Sequence, residues 1–320
     1  MSDVTVAPRL VPITSAETLR AAHERSVAVA AAWRDGAGYR QAEAAFAGEG
    51  LTAVDVAVQA AGLLADDRWI AVLIAPLIDA LAVDDWFQPP LRVSRDPLRI
   101  GALMFEHPLV TISASILSAD VLVSLPPPQS VVVPGRLSVV RYWRSGGATL
   151  RRWQTERAGA EFSAQSASPC RAIESLSPSD GDVVTIDGRS DATLIDGATA
   201  DVVTITATIR VESAPFMREY AVDDGRLLCV AALDDQASRV QMLLAFLRHS
   251  ERADAATSLA AATHDPAYFL RWWAMREWLA LDVASALPRL REMTGDPNAE
   301  VRAAAAQMLT IAEKWQPCRS

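Results

Sequence analysis

Leu-Ser-Val-Val-Arg-Tyr-Trp-Arg-Ser-Gly-Gly-Ala-Thr-Leu-Arg-Arg-Trp, residues 137–153, holds two runs of β-forming residues on either side of a glycine pair. Valine, threonine and the aromatic residues favour strands. Ser145-Gly146-Gly147 supplies residues that tolerate the backbone angles of a tight turn. The stretch therefore predicts strands at 137–144 and 148–153 joined as a hairpin, and it places this part of the chain in the β class.

The β pattern extends in both directions, from Pro89 to Leu233. Further strand-like runs lie at 100–105, 110–116, 130–133, 171–176, 183–186, 202–211 and 227–232. Turn-forming pairs such as Pro134-Gly135 and Asp187-Gly188 separate several of them. Many short strands at close spacing indicate an antiparallel sandwich, jelly roll or barrel.

Helical patterns flank the β region on both sides. Alanine-rich runs lie at 16–33, 39–48, 52–65 and 67–83, and Thr52 and Asp66 are predicted helix caps. After Asp234 the helical period returns, with Val240, Leu243, Leu244 and Leu247 on one predicted face. We therefore predict an α+β chain with an N-terminal helical region (1–88), a β domain (89–233) and a C-terminal helical region (234–320).

Near the C-terminus the chain repeats itself after 31 residues. Asp265-Pro266 is followed by Leu270, Arg271, Ala274 and Trp278, and Asp296-Pro297 is followed by Val301, Arg302, Ala305 and Leu309. A period of this length is typical of stacked helical repeats. The pattern resembles the HEAT-like repeat family over two units, residues 265–312, and the resemblance implies paired helices used for protein–protein contact.

The β region has a second resemblance. Ser177-Pro178-Ser179-Asp180-Gly181-Asp182-Val183-Val184 is similar to the Gly-Asp turn and buried strand of the cupin jelly roll. The histidines that cupins use as metal ligands are missing, because no histidine lies between Pro108 and Phe246. We therefore expect no metal and no cofactor.

Composition limits the classes of partner. The chain has 320 residues and a net charge of −9, which argues against generic nucleic-acid binding. Its most apolar window, 70–83, is too short to span a bilayer. Three scattered cysteines and the absence of a secretion signal in residues 1–15 predict a cytoplasmic protein, and the abundance of alanine and arginine suggests a bacterial one.

Arginine and tryptophan form the main candidate binding cluster. From 91 to 157 there are nine arginines and four acidic residues. The candidate residues are Arg141, Trp143, Arg144, Arg151, Arg152 and Trp153. Guanidinium groups beside aromatic rings can bind carboxylates, phosphates or an acidic peptide. The alternative is a solvated strand face with tryptophan packed inside.

A second cluster, Arg271, Trp272, Trp273 and Arg276, lies on one predicted helix and is typical of an interface. Nucleophile elbows, Walker loops and dinucleotide-binding motifs are absent from the sequence, so enzymatic activity stays open and is disfavoured. The first hypothesis is a non-catalytic scaffold that binds a partner protein or peptide. The alternatives are a cupin-like small-molecule-binding protein or enzyme with its site inside the β domain, and an enzyme with dispersed carboxylates.

Overall fold

The computed structural model describes residues 16–159, 162–164, 167–233 and 235–314. The expectation about residues 1–15 and the position of Cys318 lie outside the described residues. In the described part, the chain has the predicted α+β order of helices, antiparallel sheets and helices. No described helix combines the length and the apolar character that a membrane span requires.

Four helices open the chain: α1 (Ala16–Arg34), α2 (Ala37–Ala45), α3 (Ala53–Ala65) and α4 (Asp67–Val83). Both predicted caps are confirmed. The Thr52 side chain accepts a hydrogen bond from the Asp55 amide in a capping box, and Asp66 accepts one from the Arg68 amide. These contacts fix where α3 and α4 begin.

The β region contains twelve described strands and one short helix. They are β1 (Arg92–Arg95), β2 (Arg99–His107), β3 (Val110–Leu117), α5 (Ala119–Ser124), β4 (Ser130–Val133), β5 (Leu137–Arg144), β6 (Thr149–Gln154), β7 (Arg171–Leu176), β8 (Val183–Asp187), β9 (Asp191–Gly197), β10 (Val202–Ile209), β11 (Phe216–Ala221) and β12 (Leu227–Ala232). The sequence patterns did not predict β1, β9, β11 or α5.

These strands form two layers. The first layer is a six-stranded sheet in the order β1-β2-β3-β10-β5-β8. The second layer consists of β12-β11-β4 and β7-β6-β9, and β4 lies beside β9. Every recorded strand pair is antiparallel, which agrees with the predicted sandwich or jelly-roll class.

The predicted hairpin at 137–153 is wrong. β5 pairs with β10 and β8 in the first layer, whereas β6 pairs with β7 and β9 in the second. Gly146 and Gly147 have φ angles of 58° and 66°, and they carry the chain from one layer to the other. Asp180 holds this crossing, because its carboxylate accepts hydrogen bonds from the backbone amide and the hydroxyl of Ser145 at 2.7 and 2.8 Å.

The two faces of the first layer have different partners. Val139, Ile205 and Ile209 share one hydrophobic core with the N-terminal helices. Val140 and Tyr142 project from the opposite face of β5 and pack with Ala148 and Leu150 of the second layer. The face that carries Val140 and Tyr142 is therefore the one between the layers, and it is called here the inter-sheet face.

The C-terminal region is helical: α6 (Asp235–His249), a 3-10 turn (Ala253–Ala255), α7 (Ala256–Ala262), α8 (Tyr268–Leu281), α9 (Val283–Met293) and α10 (Ala299–Lys314). It has its own core around Leu259, Met275 and Leu290. One predicted core residue of α6 is misplaced, because Leu243 is 61% exposed while Leu244 is buried.

The 31-residue repeat appears as two matching sets of hydrogen bonds. Arg271 Nη1 donates to the carbonyl oxygens of Asp265 and Pro266, and Arg302 Nη1 donates to those of Asp296 and Pro297. Membership of the HEAT-like family remains a prediction.

Candidate binding site between the sheets

Three rows of hydroxyl side chains cross the inter-sheet face of the first layer. In strand register, Ser115 lies opposite Thr204, Ser113 opposite Thr206, and Thr111 opposite Thr208. On the other side of β10, these threonines are opposite Tyr142, Val140 and Ser138, respectively. Residues directly opposite in an antiparallel pair project to the same face, so the hydroxyls share the face of Val140 and Tyr142. We call Thr111, Ser113, Ser115, Ser138, Thr204, Thr206 and Thr208 the hydroxyl rows.

Most of these hydroxyls have no protein partner in the described part of the chain. Ser115 and Thr204 bond each other at 2.9 Å. The side chains of Thr111, Ser113, Ser138, Thr206 and Thr208 have no recorded hydrogen bond among the described residues. All seven residues of the hydroxyl rows are partly exposed. The inter-sheet face therefore offers free donors and acceptors that are half-buried and accessible.

Arg152 belongs to the second layer, across from the inter-sheet face of the first layer. In β6, Leu150 is paired with Ile195 and Arg152 with Thr193, so Leu150 and Arg152 project to the same face. Leu150 packs against Val140 and Tyr142. The Arg152 side chain therefore lies on the face of the second layer that is turned toward the hydroxyl rows.

A buried carboxylate sits beside this arginine. Asp191 accepts hydrogen bonds from Gln154 at 3.1 Å and from the Ser190 hydroxyl at 2.9 Å. Its second oxygen is 3.6 Å from an Arg152 nitrogen. Arg152 has no recorded hydrogen bond of its own among the described residues, so its guanidinium donors remain available for an anionic group.

The rest of the predicted arginine–tryptophan cluster is spread over other surfaces. Arg141 is buried under the N-terminal helices, where it pairs with Asp67 and donates to the Leu64 carbonyl at 2.6 Å. Its guanidinium also stacks on Trp143, which confirms that residues 141 and 143 share a face. Arg141 therefore joins the β domain to the helices.

Three further members of the cluster point elsewhere. Arg144 is exposed at the end of β5. Arg151 stacks on Trp153, at 4.9 Å from the ring centroid, and Trp153 packs with Val131, Val133 and Tyr220 on the outer face of the second layer. The six predicted residues thus do not form one surface, and Arg152 is the member that faces the hydroxyl rows.

The second predicted cluster lies on α8. Arg271 pairs with Asp296, Trp272 and Trp273 pack at the edge of the C-terminal core, and Arg276 stacks on Trp273. The contact of α8 with the β domain involves its first residues. Phe269 packs against Phe216 with ring centroids 5.3 Å apart, and the Tyr268 hydroxyl donates to the Phe162 carbonyl at 3.1 Å.

The donor set between the sheets does not fit a divalent metal. The hydroxyl rows, Arg152 and Asp191 supply neutral oxygens, a cation and a single carboxylate, whereas protein metal sites combine several imidazole, thiolate or carboxylate ligands. Across the described residues, no group of three or more His, Cys, Asp or Glu side chains is arranged to hold a metal ion.

Sequence reasoning missed the hydroxyl rows, although a signal was present. Thr204-Ile205-Thr206-Ala207-Thr208-Ile209 and Thr111-Ile112-Ser113-Ala114-Ser115 both alternate hydroxyl and apolar residues. Such alternation predicts a strand with one polar face. It does not reveal that the two strands lie side by side, so that their polar residues form one face inside a sandwich.

Comparisons with known proteins give a limited result. No protein-family model matches the chain, and no curated protein sequence matches it. Among solved structures, a 7S globulin from Momordica charantia is 12% identical with a TM-score of 0.26, and the match covers 41% of this chain and 35%, about a third, of the globulin.

Two bacterial structures give similar values. A cupin domain from Bordetella pertussis is 11% identical with a TM-score of 0.23, and the match covers 37% of this chain and 99% of that one. The capsular polysaccharide assembling protein CapF from Staphylococcus aureus is 13% identical with a TM-score of 0.27, covering 51% of this chain and 40% of CapF. Because the TM-scores are low, the function proposed below rests on the contacts of this chain.

Proposed function

We propose that the β domain binds a small, polar organic molecule between its two layers. The observation that carries this proposal is the set of hydroxyl rows. The core between the layers of a β sandwich is normally apolar. A polar group that leaves water without gaining a hydrogen bond costs free energy, so unpartnered hydroxyls are expected where water or a ligand completes their bonding.

The positions of the hydroxyl rows and Arg152 favour a particular ligand class. Serine and threonine hydroxyls both donate and accept, which suits a ligand that itself carries several hydroxyl groups. Arg152 suits a carboxylate or another anionic group, because hydrogen bonds from a guanidinium to an anion are among the stronger ones in proteins. A polyhydroxylated acid, such as a sugar acid, meets both requirements.

Calorimetric titration with D-glucuronate, and with D-glucose as the uncharged comparison, tests the ligand class. We expect the acid to bind more tightly than glucose, and Arg152→Gln to remove that preference. The paired change Ser113→Ala with Thr206→Val should weaken binding of both sugars. Thr185→Val is the matched control, since Thr185 lies opposite Val139 and so projects to the helix-covered face.

The scaffold function predicted from sequence is a second candidate, and one feature of α6 favours it. Met242, Leu243 and Phe246 are 72%, 61% and 66% exposed, and together they form an apolar face. Light scattering would test whether a second copy of the chain covers this face. A concentration-dependent dimer that Phe246→Ser abolishes would show that this face of α6 is an interface between two copies of the chain. A monomer at all concentrations would count against such a dimer.

A further inference from the structure

A cleft lies where the β domain meets the C-terminal helices. Its volume is about 820 Å³. Three arginines, Arg136, Arg210 and Arg239, line it together with Phe269 and Ser213. They come from the turn after β4, the end of β10 and the first half of α6, so three separate elements bring them together.

These arginines have few partners. Arg136 donates to the Leu233 carbonyl at 3.3 Å, and its buried Nε has no hydrogen-bond acceptor among the residues that the structure describes. Arg210 Nη1 lies 3.6 Å from Glu106, whose carboxylate also pairs with Arg92. Arg239 is exposed and has no recorded partner in the described part of the chain. Of the three guanidinium groups, that of Arg210 is the one with a carboxylate within 4 Å among the described residues, and Arg92 also pairs with this carboxylate.

The frame around the arginines is closely packed. The Ala214 amide donates to the Gly135 carbonyl at 2.7 Å, and the Leu233 amide donates to the Pro215 carbonyl at 3.1 Å. Gly135 has a φ of 75°, and a Cβ there would lie 2.2 Å from Leu233 Cδ1. The backbone that carries Arg136 is consequently held against the segment that leads into α6, which fixes the position of this residue before any ligand binds.

A concentration of positive charge in a chain of net charge −9 calls for a physical reason. Buried or clustered guanidinium groups repel one another, and an anion bound between them relieves the repulsion while it accepts their hydrogen bonds. The cleft volume lies within the usual range for small-molecule sites, roughly 300–1,000 Å³.

We propose that this arginine cleft binds a small, multiply charged anion carrying phosphoryl or carboxylate groups, at a site separate from the inter-sheet face. Guanidinium groups recognise both kinds of oxyanion in the same way. Pyrophosphate and citrate are therefore the two probes, and comparing their Kd values identifies whether the cleft prefers phosphoryl or carboxylate groups.

The test is calorimetric titration of the full chain at constant ionic strength. We expect saturable binding of pyrophosphate, citrate or both, and we expect Arg239→Gln to raise Kd at least about tenfold through the loss of a charge-assisted hydrogen bond. Arg171→Gln is the matched control, because Arg171 is an exposed arginine at the start of β7 and does not line the cleft. It removes the same charge and should leave Kd unchanged.

Three results would overturn the proposal. They are the absence of saturable heat with either probe, an unchanged Kd in Arg239→Gln, and an equal loss of affinity in Arg239→Gln and Arg171→Gln. The last result would mean that the anions respond only to net charge. None of these outcomes depends on whether a sugar acid binds between the sheets.

Discussion

Arg271 and Asp296 form a buried, two-point ion pair that joins the two units of the 31-residue repeat. Arg271 Nε and Nη2 donate to the two carboxylate oxygens of Asp296 at 2.9 and 2.7 Å. The two residues are 8% and 6% exposed. Arg302, the counterpart of Arg271 in the second unit, makes the same carbonyl contacts but is exposed and has no recorded carboxylate partner among the described residues.

The ion pair predicts a large difference between two equivalent substitutions. Arg271→Met leaves the Asp296 carboxylate buried without its cation, so we expect a loss of about 3–5 kcal/mol in the free energy of unfolding. Arg302→Met removes matching carbonyl contacts from an exposed site and should cost less than about 1.5 kcal/mol. Chemical denaturation measures both, and equal losses would show that the pairing with Asp296 contributes little.

The same pair predicts a dependence of stability on pH. Burial acts to raise the pKa of Asp296, but hydrogen bonds and charge from Arg271, with the Asn298 amide, outweigh it and hold that pKa below the usual range. A lowered pKa stabilises the fold above the unfolded-state pKa of about 3.9, and the contribution is lost as pH falls through the folded-state value. The stability gap between the wild type and Asp296→Asn should therefore narrow below about pH 4. A difference in stability between the two proteins that stays constant from neutral to acid pH would contradict a lowered pKa of Asp296 in the folded state.

Local signals in the sequence predicted much of the architecture. The helices α1 to α4 and the caps Thr52 and Asp66 follow from periodicity and short-range hydrogen bonding, which adjacent residues determine. Two of the missed strands have ambiguous composition: β9 contains Asp191, Asp196 and Gly197, and β11 contains the charged pair Arg218-Glu219. Strand propensity alone does not identify such segments, because burial and neighbouring strands determine their state.

Long-range pairing could not be predicted in the same way. A glycine pair with positive φ permits a hairpin or a crossing between layers, and contacts such as that of Ser145 with Asp180 decide between them. The candidate site also depends on long-range strand pairing. Ser113 and Thr206 are far apart in the chain and become neighbours only because β10 pairs with β3.

The layer crossing can be tested at its glycines. A Cβ at Gly146 would lie 2.1 Å from the Ala200 carbonyl oxygen, whereas a Cβ at Gly181, with a φ of 86°, would meet no described atom within 4 Å. Gly181→Ala should cost about 1–2 kcal/mol from backbone conformation alone. Gly146→Ala should cost clearly more, because the backbone must also move. Thermal unfolding would give the order, and a Gly146→Ala variant as stable as Gly181→Ala would show that the crossing is loosely packed.

The cysteines should react at very different rates. Burial raises the pKa of Cys170 to about 11, although the Arg218 charge acts in the opposite direction. Its reactive thiolate is therefore scarce at pH 8, while Cys229 is exposed. In a Cys318→Ser background, iodoacetamide should modify Cys229 first, as peptide mass mapping would show. Rapid modification of Cys170 in the folded protein would mean that its surroundings open readily.

The hydroxyl rows make a further prediction about stability. Because the Ser113 and Thr206 hydroxyls have no protein partner among the described residues, Ser113→Ala with Thr206→Val removes no internal hydrogen bond. In the absence of ligand, the melting temperature should stay unchanged or rise, since partly buried hydroxyls are replaced by apolar groups of similar or smaller size. A marked fall would indicate a structural role for these side chains.

Native mass spectrometry of the gently purified protein tests the central claim most directly. We expect a fraction of the wild-type chain to retain a small polar molecule, which the Ser113→Ala, Thr206→Val variant loses and the Thr185→Val control keeps. An apo mass for the wild type, together with no binding of D-glucuronate or D-glucose by calorimetry, would contradict a ligand site between the sheets.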